Sequence, residues 1–135
     1  MRSPCPINYA LETFGDKWSL LIMRDLIFME KRHYNEFFES KEKISTSVLG
    51  DRLKQLENIG IIHKGKDEVK KSRIKYSLTR KGIDMLPILI DIIVWSSHHT
   101  GLKPGVDILD DAINNRESLI NSLKIKLEAE HLNLN

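Results

Sequence analysis

Apolar residues recur at helical spacing from the start of the chain. Ile7, Ala10, Leu11 and Phe14 follow Pro6, which suits a first helical position, until Gly15 stops the run. Asp16 can cap a second helix whose apolar side is Trp18, Leu21, Ile22, Leu26 and Ile27, ending near Met29. A third, shorter helix is predicted over about 34–40. Ser45 is the clearest cap: Val48, Leu49, Leu53, Leu56 and Ile59 form one helical stripe behind it, and Gly60 supplies a left-handed stop. The period then changes. Segments 61–64 and 73–78 are short, β-branched or alternating runs around the polar stretch 65–72, which predicts a hairpin. Thr79 caps a further helix, and over 83–95 its apolar residues surround the axis, so it needs partners on two sides. Pro87 inside it should kink it or remove one backbone hydrogen bond. Gly101, Pro104 and Gly105 break the chain, and Leu109, Ile113, Ile120, Leu123 and Leu127 predict one last amphipathic helix.

Helix, helix, helix, hairpin, helix is the order of a winged helix-turn-helix, so the expected fold is mainly α with a small β-hairpin. A chain of 135 residues fits one core with an arm, and 41% apolar with 30% charged residues is globular composition. Residues 1–99 read as the winged helix and 100–135 as a C-terminal helical extension, assigned to dimer packing on pattern alone. The formal net charge of +2 neither requires nor excludes a polyanionic partner. Cys5 is the one cysteine, which rules out an intrachain disulfide and fits a reducing cytoplasm. Residues 1–6 do not resemble a signal peptide, and the greasiest stretch, 85–95, falls well short of the ~20 residues that span a bilayer. A cytoplasmic protein without a membrane partner is expected.

The candidate chemistry lies on the Ser45 helix and the hairpin. With its stripe hidden, that helix presents Ser45, Thr46, Ser47, Gly50, Asp51, Arg52, Lys54 and Gln55, short hydrogen-bonding groups with a few long ones that can reach base edges and phosphates. Gly50 costs about 1 kcal/mol in a helix interior relative to Ala, unless a groove edge or a neighbouring helix lies against the backbone there. On the hairpin, Lys64, Lys66, Lys70, Lys71, Arg73 and Lys75 stand against only Asp67 and Glu68. Such cations can neutralise phosphates of double-stranded DNA; taken alone, the run is equally a solvated turn. The histidines, His33, His63, His98, His99 and His131, are scattered without metal-ligand spacing, so neither a metal nor another cofactor is expected. Trp18 and Trp95 read as core or interface anchors. No phosphate loop, nucleophile elbow or acid-base spacing suggests an enzyme.

Segments Cys5-Pro6, Gly15-Asp16-Lys17-Trp18, 32–37, 44–62 and Tyr76-Ser77-Leu78-Thr79 together resemble HxlR-type winged-helix transcriptional regulators of the MarR-like superfamily, over nearly the whole of 5–98. The resemblance implies a homodimer with flanking dimerisation helices, the first and the late ones. It implies a Ser45 helix that reads DNA and a wing, including Lys66, Lys70, Lys71 and Arg73, that touches the backbone. Arg32 and Asn35 would open the preceding helix near phosphate. Two departures stand out: Thr46, Ser47, Gly50 and Asp51 replace the longer Gln and Arg side chains usual in the family, and 67–72 lacks the usual prolines. Some members sense oxidants or electrophiles through a cysteine at the place of Cys5. Here Cys5 precedes Pro6 at a helix start, where the dipole favours a thiolate and Arg2 and Lys17 can assist; equally, it reads as a partly buried small hydrophobe. A greasy dimer interface would also have room for a small-molecule effector. The alternative function is a winged helix for protein contact, whose basic wing meets an acidic partner without specific DNA binding.

Overall fold

The computed structural model describes residues 1–132; the last three residues of the extension expected over 100–135 lie outside the described residues. α1 (Pro6–Phe14) starts on extended Cys5 with proline in its first turn. α2 (Ser19–Ile27) is held at its start by Asp16, whose Oδ1 accepts from the Trp18 and Ser19 N–H groups at 2.7 and 2.9 Å. α3 (Tyr34–Phe37) is a single turn, shorter than the sequence suggests, because its end tightens to three-residue bonds, the Phe38 and Glu39 N–H groups donating to the Asn35 and Glu36 carbonyls at 3.3 and 3.2 Å. α4 (Thr46–Ile59) matches its prediction at both ends: Ser45 Oγ accepts from Val48 N–H at 3.3 Å, and Gly60 sits at φ 85°. There only glycine avoids a Cβ penalty.

β1 (Ile62–Lys66) and β2 (Ile74–Leu78) pair antiparallel, with Ile62 opposite Leu78 and Lys64 opposite Tyr76. Thr79 caps α5 (Arg80–Ile83), its Oγ1 accepting from Gly82 N–H at 3.2 Å. A Cβ on Gly82 would lie 2.3 Å from the Ile61 carbonyl oxygen, so only glycine lets α5 sit against the start of the wing. The long helix expected after Thr79 is in fact two. The chain turns at Asp84 and Met85, and α6 (Leu86–Thr100) begins with Pro87 in its first turn, where its missing N–H leaves no gap in the ladder. The single terminal helix is also two, α7 (Leu109–Asn114) and α8 (Arg116–His131), separated at Asn115. This is a mainly helical winged helix-turn-helix with one hairpin.

Met23, Leu26, Phe37, Leu49, Leu56, Leu78, Ile83 and Ile90 make the fully buried centre, shared by α2, α3, α4, the wing and the helices after it. The extension folds back on its own chain: Ala112, Ile120 and Leu127 join this core, Arg116 pairs with Asp91 of α6 at 2.8 Å, and Arg80 of α5 pairs with Glu128 at 2.5 Å. Two elements are only half used. α1 buries Asn8 and Thr13 and leaves Ile7 and Leu11 72% and 53% exposed, while α6 leaves Ile88, Ile92 and Trp95 facing out. Between them runs an apolar groove of about 430 Å³.

His131 closes the fold at the far end. Its Nδ1 accepts the Leu78 N–H at 2.9 Å inside the protein. Burial, helped by the charges of Arg32 and Lys75, pushes its pKa down to about 3, so the ring is neutral when folded. An unfolded histidine takes a proton below about pH 6.5, so the unfolded state binds more protons and stability falls as pH drops from there toward about 3. Urea midpoints at descending pH should show this loss, limited to about 1.4 kcal/mol per unit. His131→Gln, which keeps an acceptor but does not titrate, should flatten the curve between pH 6.5 and the carboxylate range.

Candidate nucleic-acid interface

On α4, Ser45, Thr46, Ser47, Asp51 and Lys54 are exposed, and Gly50, Arg52 and Gln55 are half-buried. Tyr34 Oη donates to the Thr46 carbonyl at 2.9 Å, which fixes the start of α4 against α3. The nearest atom to a Cβ on Gly50 would be that same hydroxyl at 3.7 Å, an ordinary contact. The fold itself therefore does not demand glycine, and the neighbouring-helix account of Gly50 is set aside. Arg52 turns sideways: it pairs with Asp51 and reaches Asp16 Oδ2, the cap of α2, at 3.5 Å. The Asp51 carboxylate is thus partly offset by a cation on its own helix.

In the wing, Lys66, Lys70, Lys71 and Arg73 are exposed. Lys75 bonds Glu68 at 2.9 Å, and Arg73 lies 3.3 Å from Asp67, while Lys66, Lys70 and Lys71 have no ion pair among the described residues. Asp67 is buried and does the work of the absent prolines. Its Oδ1 accepts from the N–H groups of Val69 and Lys70, both at 2.9 Å, and its own N–H donates to the Arg73 carbonyl at 2.9 Å. These bonds hold Asp67 well below the ordinary carboxylate range, the Lys70 N–H contributing most, then His33 and Val69. Wing and helix meet in a polar cleft of about 370 Å³ lined by Gly50, Leu53, Lys54, Glu57 and Asn58 of α4 and by Lys64 and Tyr76 of the hairpin.

Arg32 is placed differently from the expectation. Its side chain turns inward: Nε donates to the Tyr76 carbonyl at 2.7 Å, Nη2 to Ser77 Oγ at 2.6 Å, and Nη1 toward the Glu130 carbonyl at 3.4 Å. The Tyr76 N–H in turn donates to the Arg32 carbonyl at 2.7 Å. Arg32 is a brace between α3, β2 and α8, whereas Asn35 is exposed on α3. Cys5 is exposed on the single chain. Arg2 is directed at Asn8 and Glu12, its Nε 3.1 Å from Asn8 Oδ1. His63, His98 and His99 are exposed, and no group of potential metal ligands occurs among the described residues.

The sequence reading passed over His33 and Asp67 as a pair, Asn58, and the bracing by Arg32 and His131. One local signal was there: His33 with Glu36 three residues on is a capping-box spacing, and Glu36 Oε1 accepts the His33 N–H at 2.8 Å.

A family model described as HxlR-like helix-turn-helix matches residues 13–103. The HTH-type transcriptional regulator sll1512 of Synechocystis is 36% identical over 86 residues, covering 64% of this chain and 63% of that protein. YdeP of Bacillus subtilis, another HTH-type transcriptional regulator, is 31% identical over 108 residues, covering 80% and 81%. Among solved structures, PA1607 superposes with a TM-score of 0.67 at 30% identity over 78% of this chain and 72% of that one. The redox regulator HypR in its oxidized form gives 0.61 at 27% over 70% and 96%.

Arg32→Ala should lower stability by about 2–3 kcal/mol in urea unfolding, because it strips a charged donor from a buried carbonyl and hydroxyl. An unaltered urea midpoint would return Arg32 to the exposed, phosphate-contacting set.

Proposed function

This chain belongs to the HxlR-like helix-turn-helix family, whose members are transcriptional regulators, and on that premise we propose that it is a homodimer that binds a roughly palindromic operator. One α4 from each copy enters successive major grooves about one helical turn apart. Ser45, Thr46, Ser47, Gly50, Asp51, Lys54 and Gln55 face the bases, with Arg52 at the edge. Lys66, Lys70, Lys71 and Arg73 contact the backbone, together with Asn35 of α3 and with Lys64 and Asn58 from the cleft. The observation that carries this reading is the cleft itself, where Gly50, Lys54 and Asn58 on the free face of α4 adjoin Lys64 at the root of the wing, with Glu57 also in its lining. Gly50 then has a reason: bare backbone on that face lets a groove edge come close. Binding near a promoter blocks or assists polymerase, and such a role is cytoplasmic. No helix among the described residues is long and apolar enough to cross a membrane.

The open side of α1 and α6 is the surface we assign to the second copy. Ile7, Leu11, Ile88 and Ile92 line it, and leaving such side chains in water forgoes roughly 25 cal/mol per Å². Cys5, exposed beside that surface at the start of α1, is the position we assign to an oxidant or electrophile. With no second cysteine in the chain, its products are an adduct, a mixed disulfide or a bridge between subunits. The resemblance to the redox regulator HypR supports this reading; a small ligand in the apolar groove is the second one.

The test is fluorescence anisotropy on duplex from upstream of the protein's own gene and on random duplex, across a salt series. Tighter, steeply salt-dependent binding to the native duplex is expected, and equal weak binding to both would favour the protein-contact alternative. Lys70→Ala with Lys71→Ala should lower the slope of log affinity against log salt by about 2 on both duplexes. Leu11→Glu should shift the chain from dimer to monomer in analytical ultracentrifugation and weaken operator binding with it; an unaltered dimer would move the interface elsewhere.

A further inference from the structure

His33 stands between the helix-turn-helix and the wing, and both its ring nitrogens meet carboxylate oxygens. On one side Nδ1 lies 2.7 Å from Glu36 Oε1, which also accepts the N–H groups of Arg32 and His33 at 3.0 and 2.8 Å. These bonds fix the ring at the start of α3. On the other side Nε2 lies 2.6 Å from Asp67 Oδ2, 34 residues along the chain in the wing. A neutral imidazole has one donor, so at one of these contacts a nitrogen lone pair would face an oxygen lone pair. Only the doubly protonated ring donates to both.

The acceptors stay charged while the ring changes. Asp67 is held low by the Lys70 N–H first and by His33 and Val69 after it. Partial burial opposes ionisation of Glu36, but the Arg32 N–H, the His33 ring and the His33 N–H outweigh it. Two cations also stand nearby: Arg73, 3.3 Å from Asp67 Oδ2, and Arg32, turned toward β2. Glu68 and Glu130 lie around Arg32 and partly offset it.

We propose that His33 is a positioning residue whose imidazolium clamps the wing to α3, so that backbone binding strengthens as the ring gains its proton. The lever is Asp67. One of its oxygens takes the His33 proton and the other takes the N–H of Lys70, so the ring position is passed to the turn that carries Lys70 and Lys71. When the ring loses a proton, one short contact turns repulsive; with the remaining proton on Nδ1, toward Glu36, that contact is the one to Asp67, the wing parts from α3, and its lysines lose their fixed spacing to α4. The effect on affinity rests on the DNA-binding reading; the clamp itself does not.

The experiment follows the full-length chain by NMR through the titration range of histidine, observing the His33 ring and the Val69 and Lys70 amides, with anisotropy on a mixed-sequence duplex at low salt over the same range. Asp67→Asn is the key variant, since its amide oxygen still accepts from Val69 and Lys70 while the charge that faces His33 is gone. In the wild type the two wing amides should shift with the midpoint of the ring, and affinity should fall roughly fivefold more between pH 6 and 8.5 than in Asp67→Asn. His33→Gln, with its fixed protonation, should show wing amides that ignore pH. Wing amides that stay still while the His33 ring titrates would overturn the clamp, as would equal pH dependence of affinity in wild type and Asp67→Asn. Wing amides that follow the ring in a chain that binds no duplex at any pH would uphold the clamp and bring down the DNA-binding reading.

Discussion

A two-stranded hairpin does not hold itself together in water, and one such hairpin is the whole sheet among the described residues. β1 satisfies one edge of β2; the other edge presents the N–H groups of Tyr76 and Leu78 to whatever lies beside it. Arg32 supplies its carbonyl to the first and its guanidinium to the Tyr76 carbonyl and the Ser77 hydroxyl, and His131 supplies a ring nitrogen to the second. These partners come from opposite ends of the sequence, 44 to 53 residues from the strand. The edge is thereby closed to strand addition, and the root of the wing is fixed against α3 and α8 at once. The wing's cations depend on this anchoring, because charges on an unanchored ribbon would have no defined distance from α4.

The same economy governs the charges. With a net charge of only +2, the chain pairs several cations of its other surfaces with its own carboxylates. Arg24 goes to Glu42, Arg80 to Glu128, Arg116 to Asp91 and Lys126 to Glu30, all away from α4 and the wing. Among the described residues, Lys66, Lys70 and Lys71 are left without such partners, as is Lys54 on α4. Local excess, not total charge, sets the field that a phosphate backbone would meet.

Local signals made much of this legible beforehand. The helix from Ser45 to Gly60 could be read to the residue because both of its ends are decided by side chains within four positions of the cap. Thr79 was equally plain, but the helix it starts ends after one turn. Pro87 belongs to a first turn, and nothing in the apolar pattern of 83–95 distinguishes a proline that kinks a helix from one that begins another. The division of the last helix at Asn115 was hidden for a similar reason: the stripe of Leu109, Ile113 and Ile120 keeps its spacing across the break. The roles of Arg32, His33, Asp67 and His131 depend on contacts spanning 34 to 98 residues, which no window along the chain contains. The family resemblance pointed Arg32 outward; the structure turns it in, since an unpaired edge of β2 needs a donor more than the surface does.

What α4 lacks in charge constrains how the proposed complex divides its labour. Its outward face carries Lys54 against Asp51, and Arg52 is spent on Asp51 and on the Asp16 cap of α2. A helix so nearly neutral draws little affinity from phosphates, and its Thr46, Ser47 and Gly50 are short groups that need a close approach before they can hydrogen-bond base edges. Close approach must then be supplied by contacts beside the helix, and the unpaired lysines of the wing are the cations placed to supply it. In the proposed complex, affinity resides mainly in the wing and sequence discrimination in α4, and the cleft from Gly50 to Lys64 joins the two. The bonds that fix the wing, at Arg32, His33, Asp67 and His131, therefore bear on that proposed recognition although none of them faces the groove.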